Sequence, residues 1–219
     1  MNDVTIETPE ALPETAQPGA KVKGKNRFEA AQPVLEKLFE LYPQLFGARF
    51  VPLKLGIFQE LMAAHPTVFK REELKTALGV HTRSTRYLQS IAAGLKRHDL
   101  EGQPGEDVAP DHVFLSIVEL FQRRQARAKE DLKPKLRAQL VTAYAASGLS
   151  RQEYLSRLPV LDEVIATLLD EAMAEVEQQR ARRAALVKAF EGSGKTVEEF
   201  AASLGMDPAQ VRSALKECC

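Results

Sequence analysis

From Phe28 onward the apolar residues of this chain fall into helical spacing. Phe28, Val34, Leu35, Leu38, Phe39, Leu41 and Tyr42 recur every three or four positions, which predicts an amphipathic helix that Pro43 ends or bends. Pro52 opens a second predicted helix as its first-turn proline, with Leu53, Ile57, Phe58, Leu61 and Met62 on the buried face, Lys54 in the first turn and Pro66 as the stop. A third is predicted over Arg71 to Leu78 with Gly79 as its end, and Thr82 caps a fourth that carries Arg83, Arg86, Tyr87 and Leu88. Gly94 and Gly102 bracket Leu95 to Glu101, an extended stretch leading into a turn, and Pro110 starts a long helix running into the 130s. Residues 1–27 are acidic first and basic last, hold Pro and Gly with few large apolar groups, and predict a disordered tail.

The second half of the sequence repeats itself. Residues 138–169 and 184–215 align without gaps at an offset of 46: Ala138 with Ala184, Leu140 with Leu186, Ser147-Gly148 with Ser193-Gly194, Glu153 with Glu199 and Leu169 with Leu215. Tyr144 against Phe190 and Tyr154 against Phe200 keep the aromatic positions, so a duplicated helical hairpin is expected. In each copy a glycine ends one helix, and Ser150-x-x-Glu153 or Thr196-x-x-Glu199 reads as a capping box starting the next. The second copy also has helix-turn-helix spacing at Ala201, Gly205 and Val211, but Arg212 is the sole basic residue of the segment that would face DNA before Lys216. Glu163 to Arg183 reads as a long helix joining the two units.

Composition narrows the class. With 44% hydrophobic residues but only 6% aromatics and no Trp, the core of this 219-residue chain must come mainly from Leu, Ala, Val and Phe, which favours helices. The only cysteines, Cys218 and Cys219, leave no disulfide framework or cysteine metal site to build and fit a reducing cytosol. The N-terminus lacks the basic start and apolar run of an export signal, and no stretch of about 18 apolar residues predicts a membrane span, so a cytoplasmic location is expected. His65, His81, His98 and His112 form no paired metal motif, no glycine loop cradles phosphate and no nucleophile has an evident base, so neither an enzyme nor a cofactor is called for.

Charge is informative only locally. The 30 basic and 30 acidic residues cancel, yet between Arg49 and Arg97 nine basic residues face three acidic ones (Glu60, Glu72 and Glu73). Asp99 to Glu119 then carries six carboxylates and no Lys or Arg, and Arg123 to Arg137 brings seven cations against Glu130 and Asp131. A charge run alone reads as a solvated helix face; separation this sharp also polarises the surface, and screening beyond about 10 Å keeps the opposite patches distinct.

Three motifs in order give the runs a second meaning. Pro52-Leu53-Lys54-Leu55-Gly56-Ile57-Phe58-Gln59, then Thr82 and Arg86-Tyr87-Leu88, then Arg97-His98-Asp99-Leu100-Glu101-Gly102 resemble the ProQ/FinO domain, a bacterial RNA-binding module, over roughly Phe28 to Ala128. The resemblance implies a mainly α fold: a compact helical domain over residues 28–133 with a small β-hairpin and a concave basic face, here followed by a helical extension over 134–219. It implies binding of structured RNA, typically the base of a terminator hairpin with its 3′ uridine tail, among small RNAs and mRNA 3′ ends, and post-transcriptional regulation as an RNA chaperone. Lys54, Arg71, Lys75, Tyr87 and Arg97 match concave-face positions, and Thr82 and Arg86 match the family string before the tyrosine. Lys75 stands where relatives often have arginine, Gly79 where a basic residue is common, His81 where tyrosine is common and Thr85 where tryptophan occurs.

The residue chemistry suits such a partner. A-form RNA is read by shape, 2′-hydroxyls and phosphates, for which Lys and Arg are the natural donors. A helix N-terminus at Pro52 would add a positive dipole end, Tyr87 a ring for a splayed base, and Arg97 a fork for phosphate. Each also has a plain structural reading: Tyr87 as a helix-surface aromatic packed on Leu95, Lys54 as a solvated first-turn residue, Arg97 as the partner of Asp99. The competing expectation for the whole chain is a DNA-associated or protein-scaffolding factor working through the C-terminal helix-turn-helix-like repeat, and a protein partner of the C-terminal helices fits either reading.

Overall fold

Residues 24–47 and 49–216 are described in the computed structural model. Helix α1 (Gly24–Leu41) buries Ala31 and Leu38 completely, with Val34 and Leu35 half-buried beside them, as the spacing predicts. It begins before Phe28, so residues 24–27 are helical and not part of a tail; the tail expected over 1–23 lies outside the described residues, as do Cys218 and Cys219. Pro33 sits within α1 on its exposed side, where the carbonyl left without an N–H partner can be hydrated. Pro43 both ends α1 and occupies the first turn of the short α2 (Pro43–Phe46).

Pro52 does not open a helix. The chain there is extended because Pro52 and Lys54 pair with a distant segment: His98 N–H donates to the Pro52 carbonyl at 2.7 Å and Lys54 N–H to the His98 carbonyl at 2.9 Å. Gly56, at φ +85° in the left-handed region closed to most side chains, turns the chain into α3 (Ile57–Ala64). Helix α4 (Arg71–Thr82) runs through Gly79, against the expected stop, because Leu78 and His81 on either side of it are held in the core; that anchorage outweighs a glycine cost of about 1 kcal/mol. Thr82 is therefore the last residue of α4, its hydroxyl donating to the Leu78 carbonyl, and the cap of α5 (Thr85–Ala92) is Ser84, whose Oγ accepts from Tyr87 N–H.

Between α5 and α6 (Pro110–Gln125) the described residues form no regular strand, and pairing is limited to isolated bridges of His98 with Leu53 and with Pro104. The small β-hairpin expected here is thus reduced to single bridges, although Arg97 N–H donates to the Glu106 carbonyl and Gly105 N–H to the Arg97 carbonyl. Helix α6 stops at Gln125 and does not run into the 130s. The Gln125 amide spans the connection, donating to the Glu130 carbonyl at 3.0 Å and accepting from Leu132 N–H at 2.8 Å.

The C-terminal half comprises α7 (Lys133–Ser147), α8 (Arg151–Ser156), the long α9 (Glu163–Ser193), α10 (Val197–Leu204) and α11 (Pro208–Lys216). At the ends of α7 and α9 the local geometry is the same: a left-handed glycine (Gly148, Gly194), then a capping box (Ser150 with Glu153, Thr196 with Glu199). Both boxes are closed, and the hydrogen bonds from Ser150 and Thr196 hold the Glu153 and Glu199 carboxyls below the usual glutamate range.

Apolar packing is organised around three centres. The first gathers Leu38, Leu45, Leu53, Leu61, Leu74 and Tyr87 from α1 to α5. The second joins Phe114 and Ile117 of α6 to Leu136, Leu140, Tyr144, Tyr154, Leu169 and Met173, with Tyr144 and Tyr154 edge to face at 5.2 Å. The third packs Phe200, Ala201 and Val211 onto Leu186 and Phe190 at the far end of α9. Among the described residues no helix is long and apolar enough to cross a membrane.

Candidate nucleic-acid interface

Tyr87 and Arg97 meet at the backbone of Leu53, the residue before Lys54. Leu53 is buried, and both of its backbone polar groups are taken by side chains: its N–H donates to the Tyr87 hydroxyl at 3.1 Å and its carbonyl accepts from Arg97 Nη1 at 2.9 Å. Pro52 and Lys54 on either side are bound to the His98 backbone. The segment that ends at Lys54 is therefore clamped from α5 and from the 97–106 fold-back, and no buried backbone group in it is left for water.

Tyr87 and Arg97 are each only 7% exposed. Burial pushes the Tyr87 hydroxyl above its ordinary value, while the Leu53 hydrogen bond and the Arg97 charge pull it back. The ring expected to stack a base is covered, with His81 edge to face at 5.4 Å. Arg97 has Nη2 2.9 Å from His112 Nδ1; a guanidinium only donates, so His112 must accept there and carry its proton on Nε2. Arg97 is thus tied to the Leu53 carbonyl and His112 rather than to Asp99, and Tyr87 is an interior residue rather than a surface aromatic on Leu95.

Lys54 is the member of the trio that reaches solvent. Its side chain is 49% exposed and its Nζ stands 2.6 Å from Glu60 in the first turn of α3, not at a helix N-terminus of its own. The hydrogen bond and charge of Glu60 hold the ammonium above the usual lysine value, with Asp99 and Glu101 adding to the same field. The pair is open to solvent, which screens it.

The other expected residues lie on α4 and α5. Arg71 and Lys75 are exposed one turn apart on α4, and the Arg71 guanidinium stands 5.4 Å from the Phe58 ring centroid of α3. Arg86 is exposed on α5 with its guanidinium 4.6 Å from the Phe50 ring centroid, and Phe50 stacks in turn on His81 at 4.7 Å with 10° between the planes. Thr82 spends its hydroxyl on the Leu78 carbonyl. Neither Arg71 nor Lys75 touches the Leu53 clamp through a hydrogen bond or ion pair.

Sequence reasoning missed the supports. Ser84 caps α5 three residues before Tyr87, a spacing that was legible. His81 was not legible: it is 5% exposed, sits against Phe46, Phe50 and Tyr87, has no partner for Nε2, and burial pushes its pKa down to about 4.

Fold and geometry together define a mainly helical domain in which Tyr87 and Arg97 clamp the backbone of Leu53 next to the exposed Lys54. The chain belongs to the ProQ/FINO family, whose model matches residues 28–133. It is 33% identical over 144 residues to the RNA chaperone ProQ of Shewanella frigidimarina (strain NCIMB 400), spanning 63% of this chain and 71% of that protein. The RNA chaperone ProQ of Aeromonas hydrophila subsp. hydrophila is 28% identical over 170 residues, 72% of this chain and 80% of the relative. Among solved structures, a FinO-like RNA chaperone from Neisseria meningitidis MC58 is 31% identical, covering 40% of this chain and 90% of that one with a TM-score of 0.36.

Proposed function

We propose that this protein is an RNA chaperone that binds structured RNA, gripping the base of a terminator hairpin and its 3′ uridine tail, in small RNAs and at mRNA 3′ ends. The observation that carries the reading is the Leu53 clamp, which fixes the exposed Lys54 beside α3 in a chain whose relatives bear the name RNA chaperone. Lys54, Arg71, Lys75 and Arg86 supply the cations for phosphate. Tyr87 and Arg97 act through Lys54 by holding the backbone of Leu53 just before it, and Thr82 by finishing α4 ahead of α5 and Arg86.

The protein works in the cytoplasm by occupancy and without chemistry, stabilising paired structure and shielding 3′ ends. Residues 138–169 and 184–215 are a duplicated helical hairpin, a reading supported by their matching caps, and they serve for packing and for a protein partner. A DNA-reading role for α11 has little support: its Arg212 is engaged with Glu198 at 2.7 Å, leaving few donors for phosphate. The test compares binding of a terminator hairpin with a free 3′ uridine tail and of the same RNA blocked at its 3′ end. Tighter binding of the free end is expected; equal affinities remove the 3′-end pocket.

A further inference from the structure

The connection between α6 and α7 carries a run of cations that the proposed grip on the 3′ end does not use. In the C-terminal helices the neighbouring cations are neutralised internally: Arg137 pairs with Glu171 and Glu175, and Arg151 with Asp170 and Glu177. At the connection the situation reverses. Among the described residues Arg124, Arg127, Lys129, Lys133 and Lys135 have no carboxylate within 4.0 Å, and Asp131 turns its carboxylate to the Lys133 backbone N–H instead.

The run is fixed in place beside the first domain. Arg123, paired with Glu119, also donates from Nη1 to the Arg83 carbonyl at 2.8 Å, pinning the end of α6 to the α4–α5 turn. From that turn the i, i+4 ridge of α4 carries Arg83, Gly79, Lys75 and Arg71 back toward α3. Gly79 leaves room for its neighbour: a Cβ there would stand 3.4 Å from Arg83 Nη1, so the Arg83 guanidinium lies back along the ridge over Gly79. The ridge extends over about 18 Å, and it begins at Phe58, two residues from the partner of Lys54.

We propose that the α6–α7 connection is a second RNA contact, continuing the α4 ridge and following the phosphate backbone of the paired stem away from the end held at Lys54. It rests on the RNA-binding reading above. The contact is with phosphate and carries no sequence preference, because flexible lysines and arginines on a connection offer charge without a shaped pocket.

The experiment uses the full chain and its R124Q/R127Q/K129Q/K133Q variant, whose replaced side chains make no hydrogen bond in the fold. Two RNAs share one tailed hairpin end and differ in stem length. The wild type should bind the longer stem at least tenfold more tightly at low salt. The variant should lose that gain, keep wild-type affinity for the short stem, and show a logarithmic salt slope on the long stem reduced by up to about 3. Variant and wild type binding the long stem alike, with equal slopes, would overturn the proposal, as would a wild type indifferent to stem length. A wild type that binds neither RNA would remove the RNA-binding reading itself. A matching thermal midpoint for variant and wild type confirms that folding is unaffected.

Discussion

Leu53 shows how a buried aliphatic residue organises a surface. Its side chain belongs to the core while its backbone N–H and carbonyl are held by two residues, 34 and 44 positions away in sequence, of which the arginine is of a type seldom buried without partners. Tyr87→Phe leaves the Leu53 N–H without a partner and is expected to lower stability by about 1 to 2 kcal/mol in a urea titration. The motifs made Tyr87 and Arg97 legible as site residues, but their burial was not, because it depends on long-range pairing that no local pattern encodes. His81 gives a second prediction. Its pKa falls from 6.5 to about 4 on folding, so between those values the unfolded chain binds a proton that the folded chain refuses. Stability should be full above pH 6.5 and decline toward pH 4, by on the order of 3 kcal/mol. His81→Phe, which also removes the unpartnered Nε2, should flatten that decline in denaturation curves recorded across the range.

At the scale of elements, capping decided what spacing alone could not. The boxes at Ser150 and Thr196 were readable because both halves of each motif are local. The expected helix start at Pro52 and stop at Gly79 were not met, since each yielded to a tertiary contact, the His98 pairing and the burial of His81; the cap expected at Thr82 falls instead to Ser84, whose bond to Tyr87 N–H is local. Ser84→Ala should cost about 1 kcal/mol, read as a lower thermal midpoint. Because α5 carries both Tyr87 and Arg86, the same change should also weaken RNA binding. Arg180 does comparable work at the other end of the molecule, donating to the Ala145 and Leu149 carbonyls where α7 ends while its guanidinium stands over Tyr144.

On the scale of the whole molecule, the division read at residues 133 and 134 falls at the start of α7, but the packing does not divide there. Helix α6 lies against α5 on one side, and its Phe114 and Ile117 are buried with α7 and α9 on the other. Val113 touches both cores. A fragment cut after residue 133 would expose Phe114 and Ile117, so it should melt below the full chain and bind a hydrophobic dye. In the full chain Phe114→Ala should cost about 3 to 5 kcal/mol, measured by urea titration, as expected for a ring that is 0% exposed. The repeat and the charge runs were visible in the sequence. The sharing of α6, which fixes the basic connection against the first domain, required the bond from Arg123 to Arg83.

In the proposed function Tyr87 serves RNA through the placement of Lys54 and not by touching a base. A double-mutant cycle of Lys54→Ala and Tyr87→Phe, read as the dissociation constant for a tailed hairpin, tests it directly. Each change should weaken binding, and the pair together should be no worse than Lys54→Ala alone. Fully additive losses would contradict it, marking Tyr87 as an independent contact.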